Sequence, residues 1–187
     1  MYLLKSYFQY MNSPEEAVQS LLKECSFSQA CVGYLTAALS WVLFFNILDG
    51  VSFPVLLLKI CVVFAAEITV GYFLASFCGL FFDFLHVETS PAKLFVLLGA
   101  AGYIKSLLIA FALISAVIPV AHLGWLAPLA LFLVFALQLG FLTRGVKRAY
   151  HVSYAKSFFA WIFAGVPILV AFGLLLTFFI WGISLLL

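Results

Sequence analysis

The chain has 187 residues, of which 67% are hydrophobic and only 9% charged, with a formal net charge of +2. Soluble domains average roughly 45–50% apolar and about 25% charged residues, so this composition excludes a soluble domain and predicts an all-α membrane protein. The net charge says little about partners, because in a membrane protein the placement of basic residues matters more; a nucleic-acid partner is not expected.

Residues 1–28 read as a cytoplasmic N-terminal segment and residues 29–187 as a five-helix transmembrane domain, with no linker composition or repeat dividing it. Met1 to Asn12 lacks the long apolar run and small-residue cleavage site of a signal peptide. Ser13-Pro14-Glu15-Glu16 opens a helix, with Ser13 as N-cap, Pro14 in the first helical position and Glu16 closing a capping box. Val18, Leu21, Leu22 and Cys25 then recur at helical spacing among Glu15, Gln19, Lys23 and Glu24, which predicts an amphipathic helix on the membrane surface.

The first apolar segment, Gln29 to Leu48, matches the ~20 residues that cross a ~30 Å hydrocarbon layer. Asp49-Gly50 makes a turn, and Ser52 and Pro54 start a second segment that continues to Phe84 and is longer than a perpendicular crossing needs. Asp83, His86 and Glu88 occupy the next polar turn, and Ser90-Pro91 caps a third segment, Lys93 to Ile118, with Pro119 just beyond it. The fourth segment runs from Gly124 to Leu142, with Trp125 at an interface and Pro128 in its first turn. A basic loop with Arg144, Lys147, Arg148 and Lys156 leads through Ser153, an N-cap, into a last segment that reaches Leu187 and is expected to kink near Pro167.

Ionisable groups inside the second and third segments mark the candidate site. A charge at the bilayer centre costs roughly 2.5–3.5 kcal/mol on insertion scales, so Lys59, Glu67 and Lys105 need partners, water or a shallow position. At 1.5 Å per residue Lys59 lies ~9 Å below the start of its helix, within snorkelling reach of the headgroups, whereas Glu67 lies ~21 Å down. Gly71, Ala75 and Gly79 follow Glu67 at steps of four, and Gly102, Ser106 and Ala110 form a matching small-residue stripe beside Lys105. Two adjacent helices with small faces are expected to pack closely and bring Glu67 and Lys105 together as an intramembrane pair.

Five crossings place Lys5, Lys23, Lys93, Arg144, Lys147, Arg148 and Lys156 on one side, while the turns near Asp49 and His122 carry no Lys or Arg. The positive-inside rule makes that side the cytoplasm, with the N-terminus inside and the C-terminus outside. The four basic residues Arg144, Lys147, Arg148 and Lys156 are candidates for contact with anionic lipids or a protein partner.

Motifs for chemistry are absent. Cys25, Cys31, Cys61 and Cys78 have no CxxC spacing and read as buried, reduced thiols. His86, His122 and His151 fall in separate loops on both faces, so no metal site, and no cofactor, is expected. No nucleophile elbow, phosphate loop or HExxH occurs.

Three stretches carry a resemblance: SPEEAVQSLL before the first span, LLGAAGY inside the third, and GVKRAYHVSYAKSFFAW between the fourth and fifth. In these the chain resembles the Yip1 family of five-span membrane proteins, particularly its short bacterial members. The resemblance implies the fold and a bacterial inner-membrane location. Eukaryotic relatives bind prenylated Rab GTPases in vesicle traffic through a longer N-terminal region than the segment preceding the first span here. Family members often carry proline four residues after the Gly-Tyr of the third span; Leu107 stands there in this chain, so an unkinked third helix is expected.

Three functional readings follow. The first is a non-enzymatic scaffold or adaptor that presents the surface helix and basic loop to lipids or to a membrane or cytosolic protein, alone or as a homo-oligomer. The second is a small transporter or channel using Glu67, Lys105 and Lys59 along a polar path. The third is an intramembrane enzyme, for which no supporting constellation exists.

Overall fold

The computed structural model describes residues 26–46, 51–117 and 125–184. The expected surface helix, Lys5, Lys23, Cys25, the Asp49-Gly50 turn, Pro119 and His122 lie outside the described residues. Within them the fold is all-helical: α1 (Phe27–Asn46), α2 (Phe53–Phe84), α3 (Pro91–Ala101), a 3-10 segment (Gly102–Ser106), α4 (Leu107–Val117), α5 (Leu126–Tyr150) and α6 (Tyr154–Ser184). With α3, the 3-10 segment and α4 forming one crossing, five helices among the described residues are long and apolar enough to span a membrane. The chain is accordingly a multi-span integral membrane protein.

The third span is the centre of the bundle. It packs on α1, α2 and α5, while α6 closes the far side against α2 and α5. Spans one and three run in the same direction and approach closest. A Cβ on Gly102 would sit 2.5 Å from the Gly33 carbonyl oxygen, and one on Gly99 would sit 2.7 Å from that of Ala30. Small residues at this crossing let two backbones meet, which substitutes for the hydrophobic drive that lipid does not supply. Two tyrosines fasten the crossing: Tyr34 donates to the Phe95 carbonyl at 3.0 Å and Tyr103 to the Gln29 carbonyl at 3.4 Å. Both reach back toward their helix N-termini, as the tilt of the Cα–Cβ bond dictates.

This arrangement corrects the expected hairpin packing. Gly71 faces the Tyr34 ring of α1 and Gly102 faces Gly33 of α1; only Gly79 meets the third span, at Pro91. Ala75 is buried, but Ser106 is half-buried and Ala110 is exposed. The reason lies in the 3-10 segment, which also replaces the expected uninterrupted third helix. At three residues per turn instead of 3.6, five residues rotate α4 by about 100° relative to a continuous α-helix, so the stripe that starts at Gly102 turns away before Ala110.

The helix ends show further departures. Ser52 and Ser90 occupy N-cap positions without a side-chain cap bond. Ser90 is held instead through its backbone, its N–H donating to the Tyr150 hydroxyl at 3.5 Å and its carbonyl accepting from it at 3.3 Å. Ser153 does cap α6, accepting the Lys156 N–H at 3.3 Å. The expected basic loop is mostly helix: α5 continues through Arg144, Lys147 and Arg148 to Tyr150. Its last turns thus place cations beside the negative end of the helix dipole. The helix stops where His151 turns left-handed at φ 53°, just as α2 stops at His86 with φ 55°. The thiols among the described residues also differ from expectation, since Cys31 and Cys61 are exposed while Cys78 is buried.

Two apolar clusters form the core. The larger, around Phe82, Leu94, Leu97, Val146 and Ala160, fills the half of the bundle nearest the basic residues. The smaller, around Leu108, Ala130 and Val134, lies in the opposite half. Between them the packing opens.

Candidate functional site

At mid-depth the bundle holds a cavity of about 830 Å³, open on one side, to which all five spans contribute. Its walls are mainly apolar, with Val63, Val70, Leu74, Phe135, Leu139 and Leu142 prominent among them. Polar side chains among its lining residues are few: Tyr34, Trp41, Glu67, Lys105, Gln138 and Trp161, with Asn46 and Lys59 at one end. Ligand sites commonly have this form, an apolar hollow of roughly 300–1,000 Å³ with a small number of placed polar groups.

Glu67 and Lys105 meet on the cavity wall. The Lys105 ammonium lies 2.6 Å from Glu67 Oε1, and their side chains are only 9% and 17% exposed. Trp41 joins them, its indole N–H donating to the same carboxylate oxygen at 2.8 Å. The Lys105 Nζ also lies 5.6 Å from the centroid of the Trp41 ring, within cation–π range. Lys105 reaches this position from the 3-10 segment, which directs it toward α1 and α2. Within the low dielectric of the bundle each charge depends on the other, because either alone would carry an uncompensated desolvation cost.

Lys59 stands apart from the pair. Its ammonium donates to Asn46 Oδ1 at the end of α1, so a neutral amide, not the headgroup layer alone, receives it. The cavity thus starts at the Asn46–Lys59 level and ends at the level of Leu74 and Trp161, where the larger apolar cluster closes it. Trp161 is the contribution of α6. Beyond Ala164 that helix leaves the bundle around Pro167, and Val166, Leu169, Val170, Phe172, Leu174 and Leu175 are exposed. The upper side of the cavity therefore has no α6 wall.

Gln138 and Trp161 are site residues that the sequence does not single out. Gln138 Oε1 and Trp161 Nε1 are buried yet have no hydrogen-bond partner. In the spans, the hydroxyls of Thr36, Ser40 and Thr143 return to the carbonyl four residues earlier and satisfy themselves, whereas the buried Ser157 hydroxyl, one turn before Trp161, is unpartnered as well. The amide and indole have no such local recourse.

The basic residues form a separate surface. Arg144, Lys147, Arg148 and Lys156 are exposed at one end of the bundle, where Lys147 lies 4.2 Å from the Tyr154 ring centroid. Among the described residues no group of three or more His, Cys, Asp or Glu side chains has the geometry to hold a metal ion.

The chain matches no family model, no curated protein and no solved structure.

Proposed function

We propose that the protein is a non-enzymatic carrier that takes an amphipathic small molecule into the cavity between its five spans. The observation that carries this reading is the cavity itself: apolar walls from every span, with an ion pair already neutralised by its own partners. An ion channel needs a continuous polar path, whereas here the charges close on one another and the remaining walls are mainly apolar. The missing α6 wall above Trp161 supports entry from the lipid side. With the N-terminus inside and the C-terminus outside, in a bacterial inner membrane, the open half of the cavity faces the outer leaflet.

The test is exchange of a fluorescent single-chain amphiphile between leaflets of proteoliposomes, read by access of a quencher to one face. Wild-type protein is expected to accelerate exchange over protein-free vesicles, and Ala66→Phe, which narrows the cavity from α2, to reduce the acceleration. Equal rates with and without protein would remove the carrier reading.

A second reading is favoured by the exposed cluster of Arg144, Lys147, Arg148 and Lys156 at one end. It is an adaptor of Yip1 type, as the resemblance in LLGAAGY and GVKRAYHVSYAKSFFAW suggests, that contacts anionic lipids or a protein partner. Each cation near an anionic leaflet adds about 1 kcal/mol of attraction.

A further inference from the structure

We infer that the molecule taken into the cavity is a long-chain carboxylate, seated with its head group on Lys59 and its tail directed inward toward Leu74 and Trp161. The inference rests on the carrier reading and adds the charge and the orientation of the amphiphile. Among the described residues the carboxylates are Glu67, Asp83 and Glu88; Glu67 is taken by Lys105 and Trp41, and none pairs with Lys59. Lys59 lines the cavity, is half-buried, and donates to the neutral Asn46 amide, whose own N–H returns to the Val42 carbonyl at 2.8 Å. An ammonium carries three donors and a full charge, so one amide oxygen leaves most of its demand unmet. A partly desolvated cation is stabilised most by an anion within hydrogen-bond reach. One cation balances one negative charge, which fits a carboxylate better than a phosphate monoester of about −1.5 to −2.

The hollow behind that head group fits a single chain. From Lys59 to Leu74 the α2 wall runs for about 22 Å at 1.5 Å per residue, and Val62, Val63, Ala66 and Val70 keep most of it apolar. Both α2 and α5 line this length with almost no packing between them, while the Trp41 and Phe135 rings, 5.9 Å apart, bridge α1 and α5. The open side is thus the gap between α2 and α5, where Val62, Val70 and Phe135 are 61%, 41% and 51% exposed. A tail can enter through this gap from the lipid while its head stays at the depth of Lys59, within snorkelling reach of the headgroups. An ammonium head would meet Lys59 as a like charge, and an uncharged head would leave the lysine without a counter-ion.

The experiment uses the full chain in nanodiscs, photolabelled with hexadecanoate carrying a diazirine at its tail end and mapped by peptide mass spectrometry. Adducts are expected at the inner end of the cavity, on Leu74, Leu142 or Trp161; adducts on Leu58 and Val62 instead would reverse the orientation and overturn the inference. Hexadecanoate is expected to compete at least tenfold more strongly than hexadecanol or hexadecyltrimethylammonium, the equivalent of one bond to a charged group. Hexadecyl phosphate is expected to compete less well than hexadecanoate, and the opposite order would overturn the carboxylate assignment. Lys59→Gln is expected to remove the advantage of hexadecanoate over hexadecanol and Lys59→Arg to keep it, with hexadecanol competition unchanged in both. Asn46→Asp, which gives Lys59 an internal counter-charge, is expected to remove the advantage as well, and it decides if Lys59→Gln does not fold. A lysine that only stabilises the fold or only reaches bulk headgroups predicts lower melting or no change in Lys59→Gln with the advantage intact, and either result would overturn the assignment. Equal competition by all four molecules would refute the inference while leaving the carrier reading intact. Absence of cavity adducts, with this probe and with its alcohol counterpart, would overturn both.

Discussion

Lys105 and Trp41 share one acceptor: Glu67 Oε1 receives the ammonium at 2.6 Å and the indole N–H at 2.8 Å. The three groups come from three spans, so the contact ties α1, α2 and the 3-10 segment together where the apolar core gives way to the cavity. A charge-assisted bond of this kind is strong in a low dielectric only while all its members are present.

Removing one member should therefore be worse than removing two. Glu67→Gln and Lys105→Met are each expected to cost about 3–5 kcal/mol, the usual cost of stranding a buried charge, and the double variant to recover part of that loss. Trp41→Phe, which deletes one bond to a charged group, is expected to cost about 1.5–3 kcal/mol. Unfolding in detergent measures all four. Strictly additive losses for Glu67 and Lys105 would mean that they do not interact.

The crossing of spans one and three makes a sharper stability prediction. At Gly33 and Gly99 an added Cβ meets backbone of the facing helix, which cannot step aside as a side chain can. Gly33→Ala and Gly99→Ala are expected to lose at least the ~1–3 kcal/mol typical of overpacking. Gly140 and Gly165 have nothing within 4 Å of an added Cβ, so Gly140→Ala and Gly165→Ala should instead gain about 0.5–1 kcal/mol from the helix. Parallel melting curves of the four variants check the contrast, and a uniform response would refute the close crossing.

His86 and His151 end their helices in a left-handed conformation that glycine adopts at no steric cost. Around His86 the two helix-ending bonds are both present, Val87 N–H to Phe82 and His86 N–H to Asp83, each at 3.0 Å. His86→Gly and His151→Gly are each expected to raise stability by up to about 1 kcal/mol, less than the full ~1–2 kcal/mol left-handed penalty because glycine also frees the unfolded chain. A fall in melting temperature for both would show that the imidazoles make contacts that outweigh the backbone gain.

The spans were legible in the sequence because length and apolar composition alone decide what can cross a bilayer. Glu67 and Lys105 stood out for a related reason, the cost of charge at that depth. Their third partner did not, since nothing in the sequence separates Trp41 from the other aromatic residues of the first span. Gln138 and Trp161 were hidden in the same way: a missing partner is a property of the neighbouring helices, not of the residue. The small-residue stripes gave the right surfaces on α2 and at Gly102 but the wrong facing helix, because stripe spacing says how a helix is marked and not which neighbour it meets. The register beyond Gly102 failed at a single local cause, the 3-10 segment, whose tighter turn moves Ala110 to the surface. The α5 extension through Arg148 was missed because apolar runs end where the hydrocarbon ends, although a helix can continue into water.

Orientation is open to a direct check. A reporter active only in the cytoplasm, fused after Lys156 or at the C-terminus, is expected to be active at the first position and silent at the second, following the basic residues. The opposite pattern would reverse the bundle and turn the open half of the cavity toward the cytoplasm.

An amphiphile seated in the hollow beside Glu67 and Lys105 would be visible in crystals. Anomalous scattering from crystals soaked with a bromine-tailed long-chain alcohol tests it most directly. A bromine peak is expected inside the cavity, among Val63, Leu139 and Leu142, and is expected to weaken in Ala66→Phe. Bromine found only on the outer, lipid-facing surfaces of the helices would contradict it.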